Sequence, residues 1–193
     1  MDAILTSIVV VAVAEIGDKT QLLAIVLAAK FRKPIPIILG ILAATLLNHA
    51  AAAALGYVIA QWLTGSTFQL IVGIAFVVMA AWALVPDKQD EGAADRPAHG
   101  VFLTTLVAFF LIEIGDKTQI ATSLLAAQFQ GIWLITIGTT IGMMLANVPA
   151  VLLGETLTKV VPLKYVRWIA ALIFAAIGAW IVLGIVAPGI AAN

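Results

Sequence analysis

The residues best placed to do chemistry are acids embedded in apolar sequence. Glu15-Ile16-Gly17-Asp18-Lys19-Thr20-Gln21 recurs as Glu113-Ile114-Gly115-Asp116-Lys117-Thr118-Gln119, 98 residues later, and each copy lies within a long apolar stretch. A charge inside a bilayer-spanning segment is costly and marks a functional site by default. The three charges of each copy cost roughly 8–10 kcal/mol on an insertion scale. A Glu–Lys pair that merely joined helices would need neither the Asp nor a second copy. Two copies in two halves suggest one site built from both.

The chemistry those acids could do is cation binding. Carboxylate oxygens suit hard divalent ions such as Mg, Ca and Mn, and the motif offers no thiolate or imidazole for Cu or Zn. If Glu15, Asp18, Glu113 and Asp116 converge, they bring four negative charges against the two positive charges of Lys19 and Lys117. One divalent cation, or two protons, would neutralise the remainder. Clustered like charges favour proton uptake by some of the acids, so the expected chemistry is alternating occupancy by a metal ion and protons. Within a continuous helix, acids three apart share a face, with the Lys beside them. Gly17 and Gly115 allow either close approach of a facing helix or a local opening of the backbone toward a ligand.

Other polar residues could contribute. Thr20, Thr118, Gln21 and Gln119 could supply neutral oxygens or bond across helices. Asn48 and Asn147 lie in the apolar segments that follow each motif; a helix partner or a ligand role is open for both. His49 reads as packing or pathway rather than ligand, and Thr122 and Ser123 as bonding back to their own helix.

These residues must be positioned by membrane helices. Of 193 residues, 63% are hydrophobic and 10% charged, against about 25% charged in soluble domains. Zero cysteines exclude disulfides and thiolate metal sites, and a net charge of zero without a basic cluster gives no reason to expect a nucleic-acid partner. The start of the chain, Met1-Asp2, has no basic region, so it does not read as a cleavable signal. A spanning helix needs about 20 apolar residues, and six such spans are expected, near 4–28, 36–61, 68–86, 101–127, 132–153 and 168–187. Each motif then falls near the bilayer midplane. Trp62 and Trp133 lie near expected interfaces and read as belt residues.

Outside the motifs, Lys30, Arg32, Lys33, Lys88, Arg96, Lys159, Lys164 and Arg167 all fall in the first, third and fifth loops. The positive-inside rule puts those loops in the cytoplasm and both termini outside it. At the same offset of 98, Gly40 matches Gly138, Gly56 matches Gly154, Phe76 matches Phe174 and Trp82 matches Trp180. Each half is therefore three helices, and an odd number inverts the second half. The expected fold is an all-α membrane protein of six transmembrane helices, arranged as two inverted-topology three-helix repeats. The first repeat takes residues 1–86, a cytoplasmic linker 87–100 and the second repeat 101–193. Secondary transporters of this plan bind substrate at the midplane between repeats.

The twin motif, written E-x-G-D-[KR]-[ST], resembles the signature of a family of divalent cation (Mn/Ca) transporters long catalogued as uncharacterised protein family 0016. Both copies match in full, at Glu15 to Thr20 and Glu113 to Thr118, and the two-half layout covers nearly the whole chain. The chain looks like a short bacterial member of the manganese-exporting type. The resemblance implies export of Mn(II), with Ca(II) a further substrate, in exchange for protons across a bacterial inner membrane. It also implies that the four motif acids bind the cation. A small exporter of amino acids or organic cations would share the same plan; four acids against two lysines favour a small, highly charged cation. No nucleophile–base pair or nucleotide loop suggests an enzyme, no cofactor is expected, and monomer and homodimer are both open.

Overall fold

A computed structural model describes residues 2–85, 100–154 and 163–186, all of it helix, turn or cap. The expected linker 87–100 lies outside the described residues except for its last, Gly100. Eight helices are described: α1 Ala3–Glu15, α2 Lys19–Phe31, α3 Pro34–Trp62, α4 Ser66–Ala83, α5 Val101–Glu113, α6 Lys117–Phe129, α7 Ile132–Leu153 and α8 Leu163–Val186. Four of them, α3, α4, α7 and α8, are long and apolar enough to cross a membrane.

The sequence led us to expect continuous helices over 4–28 and 101–127; the structure breaks both inside the motif. The first helix ends at Glu15 and the next starts at Lys19, and the second copy repeats this at Glu113 and Lys117. Gly17 and Gly115 turn the chain with φ of +80° and +76°, a region that side chains with Cβ rarely enter. Each piece has 13 residues, about 20 Å at 1.5 Å per residue, well short of a hydrocarbon core of about 30 Å. Glu and Asp of each motif therefore do not share a helix face. They stand at opposite sides of a break, the Glu closing one helix and the Asp in the N-cap position of the next.

Local signals account for the other ends. Asp2 caps α1 by accepting from the Ile4 and Leu5 amides. Pro34 and Pro36 open α3, where a missing amide hydrogen costs nothing. Both α2 and α6 stop at a left-handed cap, at Arg32 and Gln130.

Packing places the helix ends. A Cβ on Gly40, early in α3, would meet Phe102 and Thr105, early in α5; one on Gly138, early in α7, would meet Ile4 and Ser7, early in α1. Thus α3 and α5 begin together, and so do α7 and α1. Gln61 near the end of α3 donates to Gln130 just past α6 at 3.3 Å. The pair α4 and α8 crosses at Gly73 and Gly178, with the Phe76 and Phe174 rings 6.3 Å apart. Large apolar side chains such as Leu47, Ile74, Leu145 and Leu172 face outward, while Ser7, Thr45, His49 and Asn147 are buried. That distribution suits a lipid-exposed surface. Trp62 and Trp133 are 83% and 75% exposed, fitting the expected belt.

Candidate functional site

The acids on either side of each break are buried, and the structure brings those of the two halves into electrostatic range. Glu15 is 0% and Glu113 1% exposed. Glu15 feels the charges of Glu113 and Asp116, and Lys19 those of Asp116, Asp18 and Glu113.

Each acid is oriented by its own motif. The Thr20 hydroxyl donates to Glu15 Oε1 and the Thr118 hydroxyl to Glu113 Oε1. Asp18 caps α2 by accepting from the Lys19 amide at 2.8 Å. Gln21 Oε1 accepts the Gly17 amide at 2.8 Å and Gln119 Oε1 the Gly115 amide at 2.6 Å. The two glutamines thus close the exposed amide of each break, which is a positioning task. Gln21 also donates to the Ala146 carbonyl at 3.0 Å, tying the first break to α7.

Both motif lysines are engaged. Lys19 Nζ lies 2.9 Å from Asp116 Oδ1, across the halves. Lys117 Nζ donates to the Val85 carbonyl at 3.1 Å and lies 6.0 Å from the Trp82 ring centroid. A cavity of about 20 Å³, room for one water, opens beside Gly17 and Asp18 and is lined also by Lys117, Arg167 and Phe174.

The two asparagines part company. Asn147 Nδ2 donates to Glu15 Oε1 at 3.0 Å. Asn48 turns to the last turn of α5 and donates to the Phe110 carbonyl at 3.1 Å. His49 faces the second motif instead, with Nε2 3.6 Å from Glu113 Oε1 and no exposure. A signal for this lay in the register: His49, not Asn48, stands 98 residues before Asn147. Thr122 and Ser123 do bond back to their own helix, and Ser123 also reaches the Ala52 carbonyl.

Buried acceptors are left over. Glu15 Oε2, Glu113 Oε2 and Asn147 Oδ1 have no hydrogen-bond partner among the described residues. Orphaned buried oxygens are rare in folded proteins and call for a specific cause. Carboxylate and amide oxygens without donors are what a hard cation would satisfy. Among the described residues no three acids or histidines already close on one point; Lys19 instead occupies Asp116. Helices α1 and α5 also end at the site, and helix C-termini with free carbonyls favour positive charge.

Comparisons with known proteins agree with this chemistry. The model of the family "Divalent cation/proton antiporter GDT1" matches residues 3–91 and again 101–188. A protein of Vibrio cholerae named "Putative manganese exporter" is 49% identical over 176 residues, covering 90% of this chain and 87% of that protein. GDT1-like protein 3 of Oryza sativa subsp. japonica is 24% identical over 200 residues, covering 90% of this chain and 71% of that protein. Its namesake in Arabidopsis thaliana is likewise 24% identical, with 68% of that protein covered. No solved structure matches the chain.

Proposed function

Because this chain belongs to the GDT1 divalent cation/proton antiporter family, we propose that it exports Mn(II), with Ca(II) a further substrate, from the cytoplasm in exchange for protons. Glu15, Asp18, Glu113 and Asp116 hold the cation. The observation that carries this reading is the set of orphaned oxygens, Glu15 Oε2, Glu113 Oε2 and Asn147 Oδ1, on three buried side chains from both halves.

The eight described helices read as six spans. Each 13-residue pair, α1 with α2 and α5 with α6, makes one interrupted span. The contacts of α3 with α5 and of α7 with α1 support an inverted repeat, since each is the counterpart of the other at the offset of 98. The double match of the family model supports it too. The basic loops then lie in the cytoplasm of a bacterial cell, with both termini across the inner membrane.

Residue roles follow. Thr20 and Thr118 orient the two glutamates. Lys19 stands in for the cation at Asp116 and must release it when a metal ion enters. Protons and Mn(II) compete for the same carboxylates, so the site carries one or the other across, and protons moving inward from a more acidic exterior drive metal out.

Mn(II) flux in proteoliposomes under an imposed pH gradient tests this. Gradient-driven flux is expected in the wild type and absent in Glu113→Gln. Metal flux indifferent to the gradient would sink proton exchange. No flux of either Mn(II) or Ca(II) would return the chain to the class of amino-acid or organic-cation exporters.

A further inference from the structure

The two glutamates are alike, yet their partners on the neighbouring long helix are not. Glu15 receives the amide of Asn147 from α7. Glu113, its counterpart, faces the imidazole of His49 from α3. His49 and Asn147 are themselves counterparts at the offset of 98. The two glutamates are therefore counterparts whose partners on the long helices differ in chemistry.

His49 is fully buried, and neither ring nitrogen has a hydrogen-bond partner among the described residues. Its Nε2 stands 3.6 Å from Glu113 Oε1, beyond the roughly 2.7–3.2 Å of a real hydrogen bond. Two atoms that each lie about 2.1–2.5 Å from one ion, at about 90–110° to one another, are roughly 3–4 Å apart. The separation fits a shared ion better than a direct bond. Beside the pair lies Glu113 Oε2, also without a partner among the described residues.

We propose that His49 Nε2 is a direct ligand of the transported cation, together with Glu113, and that this one imidazole makes the site prefer Mn(II) over Ca(II) and Mg(II). This rests on the motif acids being the cation site. An all-oxygen site suits Ca(II), Mg(II) and Mn(II) alike. A nitrogen donor is a poor ligand for the first two, whereas a first-row transition ion accepts it. A single imidazole among carboxylates adds that discrimination while keeping the set mainly hard. Asn147, with its free Oδ1, supplies the matching oxygen on the opposite side.

The test uses full-length protein in nanodiscs, free of a histidine tag and carrying His99→Gln, so that His49 is the one imidazole in the chain. Pulsed EPR of bound Mn(II) is expected to show nitrogen coupling from an imidazole, and His49→Asn is expected to lose it. In the same variant Mn(II) affinity should fall by roughly tenfold or more, while Ca(II) affinity changes less than twofold. His49→Gln should behave likewise, which guards against a variant that folds poorly; the nitrogen coupling of the His99→Gln background needs no His49 variant at all. Bound Mn(II) without nitrogen coupling, or equal loss of Mn(II) and Ca(II) affinity, would overturn the ligand role and leave the acids in place. Mn(II) binding untouched by Glu113→Gln would overturn the acid site and this inference together.

Discussion

Lys19 of the first motif forms a 2.9 Å ion pair with Asp116 of the second. The pair joins the halves at the site itself, with Asp116 buried and Lys19 partly exposed. If Asp116 holds the cation as proposed, a tethered ammonium on it is a built-in rival for that ion. Lys19→Gln should therefore lower the stability of the metal-free protein by about 1–3 kcal/mol, the range for a lost charged hydrogen bond. It should also enlarge the stabilisation that Mn(II) gives. Tryptophan-fluorescence melting with and without Mn(II) reads both. A smaller Mn(II) response in the variant would show that Lys19 helps to hold the metal rather than displacing it.

Cation binding should itself stabilise the fold. At a free Mn(II) concentration 100 times its Kd, linkage adds about 2.7 kcal/mol to unfolding. Chelation should reverse the gain, and both Glu15→Gln and Glu113→Gln should abolish it. A melting temperature unmoved by Mn(II) in the wild type would count against a site at the motif acids.

The threonine hydroxyls offer a finer test. Thr20 and Thr118 donate to Glu15 and Glu113, and valine keeps their shape without the donor. Thr118→Val should lower Mn(II) affinity by roughly 10–100-fold, the usual cost of losing a group that orients a metal ligand, and Thr118→Ser should retain it. Isothermal titration with the solubilised protein would decide, and equal behaviour of Val and Ser would remove the hydroxyl from the account.

Two glycines should fail for different reasons. At Gly115 a Cβ would meet nothing within 4 Å, and only its φ of +76° resists substitution. Gly115→Ala should cost about 1–2 kcal/mol of backbone strain and leave a folded protein with impaired transport. At Gly142 a Cβ would stand 2.6 Å from the Ile8 carbonyl oxygen and 2.9 Å from the Ala12 amide. Gly142→Ala must push α7 off α1, costing about 1–3 kcal/mol or more, and it draws Asn147 away from Glu15. Thermal melting and flux measured together separate the two.

Much of the site could be read from the residues. The doubled motif, its depth in apolar sequence and the polar loops between spans all have one-dimensional signatures. The break within each motif did not, because a glycine between two acids fits close packing and an opened turn equally well. Facing was the other blind spot. In α3 and α7 the inward side is mainly a stripe of small and polar residues and the outward side large apolar ones, the reverse of the stripe that marks a helix in water. Asn48 and Asn147 thus looked equivalent by type, although His49 is the residue in register with Asn147. A buried histidine among alanines and leucines has no local pattern to distinguish a ligand from a packed ring.

The motif helices lean on the opposite half: α1 packs along α7, and α5 along α3. During synthesis, then, Glu15 enters the membrane long before the ribosome has made Asn147. The nascent first half must wait with Glu15 held by Thr20 alone, without the Asn147 amide, until α7 arrives. Neither half has a finished interior of its own, so the chain commits to its native shape only near the end of translation.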